Sequence, residues 1–183
     1  MAMSASLSFA QTKIATVDLE TVIQSHPKTE ENTKILSDMQ KESMAKRDTA
    51  GEKLDALRKE LSDMSEKASN SAMSDKAREA AKTQARDILS KMRTEEESYT
   101  ALVRQLQKSL NETELVLFEA TMKDVNDKIG DIAKERKVDM VIDSSAARPG
   151  APVSVVLWSN PSLDITEEVV KKLGGKITKK RSK

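Results

Sequence analysis

Residues 118–132 read FEATMKDVNDKIGDI, and their spacing decides the fold. The apolar positions Phe118, Met122, Val125, Ile129 and Ile132 step by four, three, four and three, with polar residues filling most of the gaps. Such alternation keeps returning to one face of an α-helix, the pattern of a seam between paired helices. The rhythm recurs upstream as Leu54, Leu57, Leu61 and Met64. A third run, Ala77, Ala81, Ala85, Ile88 and Met92, uses smaller residues that suit closely packed helices. No proline falls between Pro27 and Arg148. The reading is two long helices, about Lys28–Ala68 and about Asp75–Arg136, folded back on each other at a polar tip, Ser69–Ser74. At ~1.5 Å per residue they would run roughly 60 Å and roughly 90 Å, so the second overshoots the first and continues into a base.

Composition agrees with a hairpin and argues against a broad core. Of the 183 residues, 33% are charged and only 2% aromatic, too few large side chains to fill a wide interior but enough to line a narrow seam. Disorder is the rival reading of such a composition, and the sustained stripe opposes it. With 31 Lys and Arg against 30 Asp and Glu, the net charge of +1 gives no reason to expect a specific nucleic-acid partner. Basic residues do gather locally: residues 53–93 hold ten against seven acidic ones, and seven lie between Lys171 and Lys183 with no acid among them. Cysteine is absent, which excludes disulfides and thiol catalysis.

Outside the hairpin the elements are short. Residues 1–11 (MAMSASLSFAQ) read as a signal-peptide remnant, with a loose N-terminal segment as the alternative. Lys13–Val17 is a strand, Asp18 caps a brief helix at Leu19–Gln24, and Ser25-His26-Pro27 breaks it. After the hairpin, Val138–Ile142 and Val153–Trp158 read as strands around the rigid loop Arg148–Pro152. Asp164 or Thr166 caps a last helix, Thr166–Leu173, which Gly174-Gly175 ends. The domain division is therefore a body from 12–27 and 115–175, an arm from 28–114, and a basic disordered tail from 176–183. Gly51, inside the first long helix, is either a flexing point or a tolerated surface glycine.

So small a sheet is marginal alone, and Leu115, Val116, Leu117 and Phe118 are apolar almost all round the helix. Assembly of several copies would cover both, and the residues expected at such contacts are Ile14, Val17, Leu117, Phe118, Val141, Val155 and Leu157.

Catalysis is not expected. His26 is the only histidine, which leaves no cluster for a metal and reads as a loop residue. The abundant carboxylates read as halves of surface ion pairs. Gly174-Gly175-Lys176 follows a helix and lacks the rest of a phosphate-cradling loop, so no cofactor is expected. Binding fits better. Met39, Met44, Met64, Met73 and Met92 all lie on the arms and suit adaptable contacts, although filling the seam is the plainer role at most of the five; Met39, Met64 and Met92 are the candidates for partner contact. The tail Lys171–Lys183 is a candidate contact for anionic lipid.

Three segments, KIATVDLETVIQSHP from Lys13, VDMVIDSSA from Val138 and LDITEEVVKKL from Leu163, resemble the Skp (OmpH-like) periplasmic chaperone family in order and in their spacing around a charged hairpin. That resemblance implies a mainly α protein with a small β-rich body, assembled as a jellyfish-like homotrimer. It also implies an ATP-independent holdase that encloses unfolded outer-membrane β-barrel proteins in the periplasm. This chain departs from the family in being nearly neutral, where members are often strongly basic. The readings that stand against it are a structural coiled-coil envelope protein, and an anionic lipid or nucleic-acid binder acting through the tail.

Overall fold

The structure is a computed structural model and describes residues 12–145 and 156–177. It runs β1 (Ile14–Val17), α1 (Leu19–Gln24), α2 (Lys28–Ser69), α3 (Asp75–Arg136), β2 (Met140–Asp143), a 3₁₀ turn (Pro161–Leu163) and α4 (Thr166–Lys172). The two long helices form the hairpin that the stripe demands. The chain divides into two compact units, Lys34–Leu115, and Met1–Thr33 with Val116–Lys183.

In the hairpin unit the apolar stripes turn inward as their spacing requires. Leu54, Ala81 and Ile88 are buried, and Leu57, Leu61, Met64, Ala77, Ala85 and Met92 are half-buried beside them. At the tip, Asn70 Oδ1 accepts from the Ala72 N–H (2.9 Å), which closes a turn. Ser74 Oγ then accepts from the Ala77 N–H (3.3 Å) and caps α3 as its position predicts. Charged residues cover the outside in pairs such as Arg58 with Asp55 (2.9 Å) and Lys46 with Glu42 (2.7 Å). Exposed pairs of this kind contribute little, so the seam carries the stability.

The other unit is built on a parallel pair. Ile14 lies opposite Met140 and Val17 opposite Asp143, and the long hairpin is the crossover that parallel strands need. The inner face of β1 joins Val22 of α1, Val125 and Ile132 of α3, and Ile165, Val169 and Val170 around α4 in one core. Each such side chain contributes about 1.5–3 kcal/mol when buried. One polar chain ties the N-terminal elements to α4. Asp18 Oδ1 accepts from Thr21 N–H (3.0 Å), the Asp18 N–H donates to Thr166 Oγ1 (2.8 Å), and Asp164 Oδ1 accepts from Thr166 N–H (2.8 Å).

Four sequence expectations change. The strand expected at Val153–Trp158 begins outside the described residues, and Val156–Trp158 is irregular. The free edge of β1 is taken instead by Asp164, which bridges Thr16, while the Ile165 N–H donates to Thr16 O (2.9 Å). Second, β2 starts at Met140 and not Val138. Lys137 turns to φ +55°, its N–H reaches Lys134 O (3.2 Å), and the Val138 N–H reaches back to Ala133 O (2.8 Å). This paired closure of a helix end normally uses glycine, so no residue type announced it. Third, Ile177, inside the segment expected to be a disordered tail, packs against the core. Fourth, Phe118 is not a seam residue. It stands 52% exposed, and the buried position one turn from Val125 is Thr121. Residues 1–11, the loop Arg148–Pro152 and most of the basic tail lie outside the described residues.

Candidate interaction surfaces

Among the described residues, no group of three His, Cys, Asp or Glu is placed to hold a metal ion. No helix among them is long and apolar enough to cross a membrane. What the structure offers is a polar clasp, several exposed apolar side chains and shallow grooves.

The clasp lies where α2 begins. His26 is buried, and its Nδ1 accepts from the Lys28 N–H (3.1 Å), one of the backbone donors a helix start leaves without an internal partner. The Thr29 N–H donates to His26 O (3.0 Å), and Thr29 Oγ1 donates to Ile23 O (2.6 Å). Lys28 Nζ reaches Asp124 Oδ2 on α3 (2.8 Å), with His26 Nε2 3.8 Å from the same oxygen. One turn further, Asn32 Nδ2 donates to Thr121 Oγ1 (3.2 Å), whose hydroxyl donates to Leu117 O (2.9 Å). Burial pushes the His26 imidazole below its ordinary value; Asp124 opposes that shift and Lys28 adds to it. The hydrogen bond from Lys28 holds the Asp124 carboxyl below its usual range.

The residues expected at contacts between copies fall in three groups. Val17 turns into the core of its own chain, and Val141 is half-buried against that core. Leu117 is half-buried, while Ile14, Phe118 and Leu157 are exposed, Leu157 at 85%. Val155 lies outside the described residues. Ile14 and its register partner Met140 stand exposed together at the start of the sheet. Beside Ile14 opens a groove of about 630 Å³ lined also by Arg136, Val138 and Leu163.

On the hairpin, Met39, Met64 and Met92 are all half-buried, so each shows only part of its thioether to solvent. The methionine that stands out is Met44, 61% exposed, over a shallow cleft with Val103, Leu106 and Leu110. A wider open groove of about 820 Å³ runs between the helices near the tip, with Ala56 and Leu57 on its floor and Lys53, Glu60, Asp87 and Lys91 around it.

Sequence reasoning missed Trp158, Met140, Asn32 and Thr121. Trp158 carried a signal, since the chain's one tryptophan precedes a Ser-Asn-Pro turn and is 81% exposed, but its apolar neighbours read as a buried strand. Asn32 and Thr121 carried none, because polar residues between charged neighbours on a helix read as surface.

The family model for outer membrane protein (OmpH-like) matches residues 13–173 of this chain. Among curated proteins none matches it. Among solved structures, the chain is similar to a crystal structure from Caulobacter crescentus CB15 assigned as an OmpH-like outer membrane chaperone. The two share 16% identity and a TM-score of 0.67, over 94% of this chain and 90% of that one. At that identity the likeness speaks for the fold.

Proposed function

This chain belongs to the OmpH-like family, and from that premise we propose that it is a non-enzymatic periplasmic chaperone: an ATP-independent holdase for unfolded outer-membrane β-barrel proteins. The observation that carries the reading is how the hairpin spends its apolar residues. Leu54, Ala81 and Ile88 are used within the seam, and what remains for a partner is a charged surface with shallow, open grooves. Such a surface touches an unfolded chain weakly at many places, keeping it soluble and releasable. Client contact is assigned to the arms, with Met39, Met64 and Met92 at the seam margins and Met44 as the most accessible thioether.

Assembly as a homotrimer belongs to the same reading. Ile14, Phe118, Met140, Leu157 and Trp158 are exposed apolar side chains, and copies of the chain would cover them.

The test is to dilute a urea-unfolded β-barrel membrane protein into buffer with and without this protein, with no nucleotide present, and to measure turbidity over time. Suppression near one oligomer per client supports the holdase. Unchanged aggregation at every salt concentration transfers the hairpin to a purely structural role.

A further inference from the structure

His26 is buried and titratable, and the proposed function leaves it unused. Its surroundings fix where its proton sits. Nδ1 accepts from the Lys28 N–H, so in the neutral imidazole the proton is on Nε2, the nitrogen that points toward Asp124. Adding a proton therefore means adding it to Nδ1, the atom that caps α2. Two donors would then face each other at 3.1 Å, and the cap hydrogen bond could not survive.

The charges around the ring set the effect of that proton. From α3 comes Asp124, 3.8 Å away, and from the first turn of α2 comes Lys28, bonded to Asp124 at 2.8 Å. Lys123, paired with Asp127, adds a weaker pull on the Asp124 carboxyl. An imidazolium would compete with Lys28 for the same carboxylate oxygen. Acid thus strains two of the links between the start of α2 and its surroundings, the Lys28 cap and the Lys28–Asp124 pair. What is left there is polar: the Thr29 hydrogen bonds to His26 O and Ile23 O, and the contact of Asn32 with Thr121.

We propose that His26 makes the start of α2 an acid-sensitive clasp, closed when the imidazole is neutral and loosened when Nδ1 is protonated. The direction of the titration agrees. Burial lowers the folded-state value below the ordinary 6.5 of the unfolded chain, so between the two values the unfolded chain binds more protons. The stabilisation is therefore complete above the unfolded value and is lost as pH falls through the folded one. Because the cap forms within one unit of the chain, the inference stands whether or not the protein holds clients.

The experiment is hydrogen exchange on the full chain from about pH 7.5 to about pH 5, the range in which a histidine titrates, corrected for intrinsic rates. The expected result is a severalfold loss of protection at Lys28, Thr29 and Asn32 relative to amides in the middle of α3. His26→Asn supplies an amide oxygen that can accept from Lys28 without titrating, and its protection there should stay flat with pH. An unchanged wild-type profile, or the same acid loss in His26→Asn, overturns the proposal. Proton NMR titration of the single imidazole in the wild-type protein gives an answer independent of any variant. A folded value at or above that of the unfolded chain overturns it as well. In Asp124→Asn the titration should move to still lower pH, since the charge that favours the imidazolium is gone.

Discussion

Gly175 sits where the chain leaves α4, and a Cβ built there would lie 2.1 Å from Ser25 O. That neighbour is backbone and cannot swing aside, so Gly175→Ala should destabilise the protein by about 2 kcal/mol, measured by urea unfolding. Gly174, one residue earlier, is needed for the opposite reason: φ is +76° and nothing crowds it. Lys137 ends α3 in the same left-handed region without being glycine. Left-handed backbone costs an L-residue about 1–2 kcal/mol, so Lys137→Gly should raise stability by about 1 kcal/mol after the flexibility of glycine in the unfolded chain is deducted. Gly51 is the converse, a helical position with open space where a Cβ would go. Gly51→Ala should add about 1 kcal/mol; no gain in thermal midpoint would mean that local flexing there has a stabilising counterpart.

Between elements, the informative contact is Asn32 with Thr121. Thr121→Val alone strands a partly buried amide and should cost about 1–2 kcal/mol, whereas Asn32→Leu combined with Thr121→Val should be nearly neutral. A double variant as unstable as the single one would show that the cost comes from packing and not from the lost partner. The same contact shows why the hairpin was legible in the sequence and its beginning was not. Far from the ends, Leu54, Leu57, Ala81 and Ile88 repeat every three or four residues, and no other arrangement buries them together. Near the start of α2 the phase is ambiguous, because Thr121 and Phe118 both lie about one or two turns before Val125. Ranking by hydrophobicity selects Phe118, but the facing residue on α2 is Asn32, and a polar partner selects Thr121. The strand expected through Val156, Leu157 and Trp158 failed for a related reason. Its composition suits a strand, yet pairing depends on a free edge, and Asp164 had taken the edge of β1. His26 was visible only as a lone histidine; its capping bond to Lys28 is local, but the ion pair of Lys28 with Asp124 beside it joins residues 96 apart in the chain.

For the molecule as a whole, the proposed assembly makes the sharpest demand. Phe118→Asp or Trp158→Asp should reduce the mass measured by light scattering if those side chains meet other copies, and an unchanged mass for both would remove them from the interface. In the same reading, Met44→Glu should weaken holdase activity while leaving the mass unaltered. The pairing of β1 with β2 carries a further consequence, one of time. Lys13 bonds Asp139 across 126 residues, so the first strand emerges from the ribosome long before its partner exists. The seam near the tip joins residues much closer in sequence, and it can zip while β1 waits. Folding should therefore run from the tip toward the termini, with substitutions at Ala81 or Ile88 slowing refolding and those at Val22 or Val169 chiefly hastening unfolding. Loop-closure entropy grows only with the logarithm of the intervening length, about 0.6 kcal/mol per doubling. Lineages can thus lengthen or shorten both arms together by whole heptads at little energetic penalty to the strand pair they connect, which leaves reach free to vary while the sheet stays as it is.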